Sequence, residues 1–152
     1  MEYTAILYEL LSGNTYLSLA TADENGTPWA SPVVYEFDET QGNLFFISAP
    51  DSRHIRNISK NPTVAFSIYN SAQTVGNAFG IQWSGRVEEV DSMDMPAELR
   101  SSLLSKVSMI VLNRSHRFYK IMIDEIYLPH AERWKNDKPL RILVMKNNKN
   151  NP

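Results

Sequence analysis

The chain contains no cysteine, and that absence removes disulfide frameworks, thiolate metal sites and cysteine nucleophiles from consideration. Histidine is nearly as scarce: only His54, His116 and His130 occur, far apart and without the spacings that build a zinc site, so no metal is expected. No apolar run approaches the roughly 20 residues of a membrane-spanning helix. A signal peptide is not expected either, because Glu2, Glu9 and the polar break Ser12–Asn14 interrupt the early hydrophobics. Excess charge is small: a formal net charge of −2 and a pI near 5.9 argue against holding nucleic acid by bulk electrostatics. These exclusions point to a soluble cytoplasmic protein without nucleic-acid or membrane partners. Its 152 residues fit one domain with a proper core, expected over 1–145. The tail KNNKNNP, 146–152, is of low complexity and reads as disordered.

What is present reads mainly as strand. A short amphipathic helix opens the chain, with Ile6, Leu7, Leu10 and Leu11 at helical spacing and Gly13 as its stop. Tyr16–Ala22 then alternates as a strand. Asp23-Glu24-Asn25-Gly26 makes a hairpin turn, with Asn25-Gly26 supplying positive φ. The next strand runs from about Pro28 to Phe37, and Pro32 within it demands an edge or bulged position. A second turn, Asp38–Asn43, leads to the apolar strand Leu44–Ser48. Further on, Thr63–Tyr69 and Phe79–Val90 read as strands, the latter with Gly80 and Gly85 marking bulges or a bend. Ser71–Ala78 reads as a connection, Met95–Ser108 as a helix starting near Pro96, and Val107–Phe118 as helix or coil. Phe118–Tyr127 is the last long strand, Pro129–Asp137 a loop carrying His130, Arg133 and Trp134, and Leu140–Met145 a short final strand. Short antiparallel strands joined by tight turns suggest a meander that closes into a barrel.

The stretch FISAPDSRHIRNISKNP, Phe46–Pro62, carries the chemistry. Pro50 ends a buried strand, and Asp51 or Ser52 is placed to cap a helix that Asn61-Pro62 terminates. Arg53, His54 and Arg56 lie in its first two turns, against the helix dipole, which prefers anions there. Free backbone N–H groups with two arginines and a histidine suit a bound phosphate; a solvated basic helix start is the plain alternative. Trp29, Trp83, Tyr35 and Tyr69 could be barrel core, a dimer interface or walls for a planar ligand.

The segment ATADENGTPWASPVVYEFDETQGNLFFISAPDSRHIRNISKNPTVAF, with GIQWSGRV further on, resembles the pyridoxamine 5′-phosphate oxidase-like flavin-binding family. That resemblance covers about Tyr16 to Ile142. It implies a mainly β fold, a six-stranded antiparallel split barrel that pairs as a homodimer and binds FMN in clefts at the subunit interface. It places the FMN phosphate at Ser52, Arg53 and His54, with Ser48 at the preceding hydroxyl position. The ring is expected against Ser31, Pro32 and Val33, with Gln82 making a polar contact and Trp134, followed by Arg141, echoing a late tryptophan–arginine pair. Tyr35 stands at a substrate position where the oxidases carry a basic residue, so pyridoxamine phosphate is a doubtful substrate. His54 replaces a lysine, so phosphate affinity is expected to weaken as pH rises past its pKa. The implied activity is FMN-dependent oxidoreduction by hydride transfer on a small organic substrate. Alternatives are a flavin store or sensor, a relative holding haem or a deazaflavin in the same cleft, and an oligonucleotide-binding barrel, which the acidic balance disfavours.

Overall fold

The computed structural model describes residues 2–73, 80–107, 115–135 and 138–146, with side chains for 5–73, 80–107 and 115–128. Seven strands run in the spatial order β3-β2-β1-β4-β5-β6-β7, and β3 also pairs with β6. That last pairing closes six strands into an antiparallel barrel and leaves β7 as an extension on β6. The strands are β1 (Tyr16–Ala22), β2 (Pro28–Asp38), β3 (Asn43–Ser48), β4 (Thr63–Tyr69), β5 (Gly80–Val90), β6 (Arg117–Lys135) and β7 (Lys138–Lys146). Three helices accompany them: α1 (Glu2–Ser12), α2 (Arg53–Lys60) and α3 (Ala97–Lys106).

Alternation decides which side chains fill the barrel. Leu17 and Leu19 of β1, Phe66 and Ile68 of β4, and Ile81 and Trp83 of β5 point inward and are almost fully buried. Ile55 and Ile58 of α2, with Leu7 and Leu11 of α1, pack on the same cluster. The helix α1 is the expected lid, and Gly13 ends it by donating its N–H to the Glu9 carbonyl at 2.8 Å. The strand β3 is apolar on both faces for a reason. Leu44 and Phe46 enter the barrel, whereas Phe45 and Ile47 join a second cluster with Leu103 of α3 and Met95, which precedes that helix.

The two expected turns form, each organised by an aspartate. Asp23 accepts from the N–H groups of Asn25 and Thr27, both at 2.9 Å, and Gly26 takes the positive φ of 80°. Asp38 accepts from Thr40 at 2.9 Å and Gln41 at 3.2 Å, and Gly42 adopts φ 69°. At Gly85 the β5–β6 register shifts, which is the bulge that a glycine there suggests.

One stretch departs from expectation. Pro129–Asp137 is not a loop: its residues up to Lys135 continue β6, with Pro129 opposite Arg141 and His130 opposite Leu140. Pairing of β6 with β5 ends at Tyr127, so Pro129 lies beyond the strand that would have needed its N–H. The final strand is correspondingly longer than Leu140–Met145. Residues 74–78 of the expected connection, Phe79 at the start of the next expected strand, 108–114 of the ambiguous section and 147–152 of the tail lie outside the described residues.

The bulge makes a testable point about packing. A Cβ at Gly85 would sit 2.3 Å from the Met122 carbonyl oxygen, so Gly85→Ala requires a backbone shift between β5 and β6. The expected loss is about 1–3 kcal/mol, read as a lower urea midpoint with an unchanged m-value.

Candidate functional site

A change of partner along β2 creates the site. Its first half, Pro28–Val34, pairs with β1, whereas only Tyr35–Asp38 pairs with β3. From Pro28 to Val34 one edge of β2 therefore has no strand partner among the described residues, and Pro32 is tolerated there without loss of a ladder bond. Between the parted strands lies a cleft of about 480 Å³. Pro32, Val33 and Val34 form one wall, Ile47, Ser48 and His54 another, and Lys106, Val107 and His116 the remainder, with Tyr16 at the rim. A second cleft of about 510 Å³ adjoins it, sharing Tyr16 and Pro32 and including Ser31, Ser67 and Tyr69.

At the β3–α2 junction three polar side chains converge. Ser48 Oγ lies 2.7 Å from His54 Nε2, and Ser52 Oγ lies 3.2 Å from the same nitrogen and 3.1 Å from Ser48 Oγ. Ser52 occupies the N-cap position in extended conformation (φ −66°, ψ 151°), yet its side chain makes no cap bond. The expected capping hydroxyl is turned to the imidazole instead. The first turn carries no acidic residue, so its dipole is not compensated from within the helix. Asp51 is exposed, and its backbone carbonyl accepts from Arg56 Nη1.

The helix itself is held firmly. Asn57, buried, donates from Nδ2 to Thr21 Oγ1 at 3.0 Å, tying α2 to β1. Arg53 is exposed, and its Cζ sits 4.1 Å above the ring of Trp29 on β2, a cation–π contact. Burial lowers the pKa of His54, so the imidazole is neutral near pH 7 and Nε2 either accepts from a serine hydroxyl or donates to one. The imidazole standing at the lysine position is thus one that would charge chiefly when an anion arrives.

Of the residues singled out in the sequence, Ser48, Ser52 and His54 meet directly, Pro32 and Val33 line the same cleft, and Ser31 lines the adjoining one. Arg53 is next to the cluster in sequence but rests on Trp29. Gln82 is exposed on β5, paired with Ser67 and Tyr127, and separated from β2 by β4 and β1. Trp134 belongs to β6, not to a loop. Tyr35 does not face the cleft. It is 1% exposed in the barrel core, and its hydroxyl donates to the Leu11 carbonyl at 2.6 Å, fastening α1 to β2. Alternation explains the placement: Tyr35 follows Val33 onto the inward face. Trp83 is likewise core, its ring tilted against that of Phe66 with centroids 4.3 Å apart, whereas Tyr16, Trp29 and Tyr69 stay exposed.

Sequence reasoning missed two cleft residues. Lys106 arrives from the last turn of α3, and His116 precedes β6; neither stands in a motif. Lys106 Nζ is paired with Glu36 Oε1 of β2 at 2.7 Å and donates to the Tyr35 carbonyl at 3.1 Å.

The fold agrees with comparisons to known proteins. The family model described as pyridoxamine 5′-phosphate oxidase matches residues 5–140. The chain belongs to this family. A UPF0306 protein of Pasteurella multocida is 31% identical over 77 residues, which span 51% of this chain and 52% of that protein, about half the length of each. Among solved structures, the haem storage protein HutZ of Vibrio cholerae superposes with a TM-score of 0.66 at 16% identity, covering 82% of this chain and 92% of that one. An FAD-binding protein of Mesorhizobium loti gives 0.63 at 24% identity, covering 81% and 89%. These structural likenesses establish the split-barrel fold. Solved proteins of this architecture thus include one described as a haem storage protein and one described as FAD-binding.

The buried histidine yields a pH prediction. Its folded pKa lies below the unfolded value of 6.5, so the unfolded chain takes up the proton first as pH falls. Stability from this group is full above about pH 6.5 and is lost as pH drops through the folded pKa. Urea midpoints for the wild type are expected to fall between about pH 7.5 and 5, and His54→Gln to flatten that part of the dependence.

Proposed function

We propose that this chain binds FMN in the cleft where β2 parts from β3 and works as an FMN-dependent oxidoreductase on a small organic substrate. The observation that carries the reading is the convergence of Ser48, Ser52 and His54 at the start of α2, at one end of that cleft. A volume of about 480 Å³ lies within the usual range for small-molecule sites, about 300–1,000 Å³. Its lining mixes polar groups, Ser48, His54, Lys106 and His116, with the apolar Val33, Val34, Ile47 and Val107. The unused N-cap of α2 adds N–H groups directed at an incoming phosphate.

Each residue then has a task. Ser48 and Ser52 donate hydroxyl bonds to phosphate oxygens, and His54, released from them, takes up a proton and supplies charge. Arg53 moves from Trp29 to the phosphate, and its planar fork suits two oxygens at once. The open edge of β2 at Pro32 and Val33, beside Ser31, offers backbone groups to the polar edge of the ring. Bound FMN would supply hydride or single-electron transfer, while the protein orients it and tunes it.

A homodimer, in a cytoplasmic setting, completes the proposal. The outward face of β1, β2 and β4 presents Tyr16, Ala20, Ala30, Pro32, Ala65 and Tyr69, all exposed and none charged. Such a surface suits a second copy of the chain. Gln82 belongs to the same side of the sheet but is remote from its own cleft, so its contact with FMN would be made across the dimer.

A second reading has its own support. His54 and His116 line one cleft, and imidazoles are haem ligands, so haem in place of FMN is the alternative that the geometry favours. Absorption spectra after addition of FMN or haemin separate the two. Flavin bands that co-purify with the protein are expected, and a Soret band without flavin binding would replace the first reading by the second. Arg53→Ala should weaken FMN by roughly 10- to 100-fold, since a charge-assisted hydrogen bond contributes about 1.5–3 kcal/mol. Unchanged affinity in that variant would remove the phosphate assignment.

A further inference from the structure

Lys106 is the one ammonium or guanidinium among the residues that line the cleft, and it is not part of the phosphate cluster. It reaches the cleft from the last turn of α3, beside Val107 and across from Pro32, Val33 and Val34 of β2. Its Nζ is bound on its far side by Glu36 Oε1 at 2.7 Å and by the Tyr35 carbonyl at 3.1 Å. Glu36 is in turn fixed by the Ser102 hydroxyl, four residues before Lys106 on α3. The side chains are 28% and 14% exposed, so neither charge is fully screened by water. A simple docking role for the pair, clamping α3 to β2, would be satisfied by any hydrogen-bonding couple. What it does not explain is a full positive charge held at the cleft wall against the stretch of β2 that carries the open edge.

We propose that Lys106 sets the reduction potential of the bound flavin and that Glu36 attenuates it. The inference rests on the FMN reading above. Reduction by two electrons with uptake of one proton adds one negative charge to the ring, so a neighbouring cation favours the reduced state over the oxidised one. Glu36, 2.7 Å from Nζ, offsets part of that field while keeping the ammonium in place. The two residues therefore act with opposite signs on one equilibrium, which a purely structural pair would not do.

The test is a dithionite titration of the FMN-loaded protein against a reference dye, for wild type, Lys106→Met, Lys106→Arg and Glu36→Gln. Lys106→Met is expected to weaken reduced FMN about tenfold more than oxidised FMN, which is about 30 mV more negative for a two-electron couple. Glu36→Gln is expected to move the potential the other way, and Lys106→Arg to leave it near wild type. Should Lys106→Met fail to fold, Glu36→Gln against wild type still decides, because it keeps the shape and hydrogen bonds of the pair. Shifts of the same sign in both neutralised variants, or FMN bound with unmoved potentials, would overturn this inference alone. A wild-type chain that holds no FMN would overturn it together with the reading on which it rests.

Discussion

Most of what this molecule can do depends on β2 changing partners at the junction of Val34 and Tyr35. Up to Val34 it is paired with β1, and from Tyr35 onward with β3. A strand bonded on both edges along its whole length would give a closed barrel with a sealed wall. Parting the strands opens that wall without opening the core, because β3 still finds β6 and the ring remains closed. The cleft, the exposed backbone edge and the tolerance of Pro32 are three consequences of this arrangement.

Helix α2 turns the opening into a site. It leaves β3 immediately after Ser48 and is fastened to β1 through the buried Asn57–Thr21 bond. Its first turn is thereby fixed at the end of the cleft. The polar groups gathered there are partnered to one another: serine to serine, both serines to His54, and Arg53 to the face of Trp29. Each of these contacts is one that an anionic ligand can replace. A pre-assembled set of this kind limits the ordering cost of binding, since the side chains are already confined to the neighbourhood.

Helix α3 supplies the opposite end. It covers the outer face of β3 with Leu103 and brings Lys106 to the cleft, held by Glu36. The cleft thus combines Ser48 and His54 with Lys106 and with valine and isoleucine side chains. That mixture suits the phosphate and the ring of the proposed flavin mononucleotide.

The sequence by itself determined the strands, the turns and the helix that opens the site, because these follow from local chemistry. Alternation marked β1, Asn25-Gly26 marked the first hairpin turn, Gly80 and Gly85 marked bulges or a bend in β5, and Pro50 with Asp51 or Ser52 marked the start of α2. The basic helix start after an apolar strand was also legible, as was the family to which that pattern belongs. Tertiary structure alone decided the rest. Whether Tyr35 faced core or cleft depended on the phase of β2 relative to the barrel, and it is core. Whether the stretch from Pro129 to Lys135 stood in a loop depended on β7 being there to pair with Pro129, His130 and Lys135. Lys106 joins Ser48 only because α3 packs on β2, some 58 residues later in the chain (106 minus 48). Such long-range juxtapositions leave no periodicity or motif behind, since they are fixed by which strands find one another and not by any neighbouring residue.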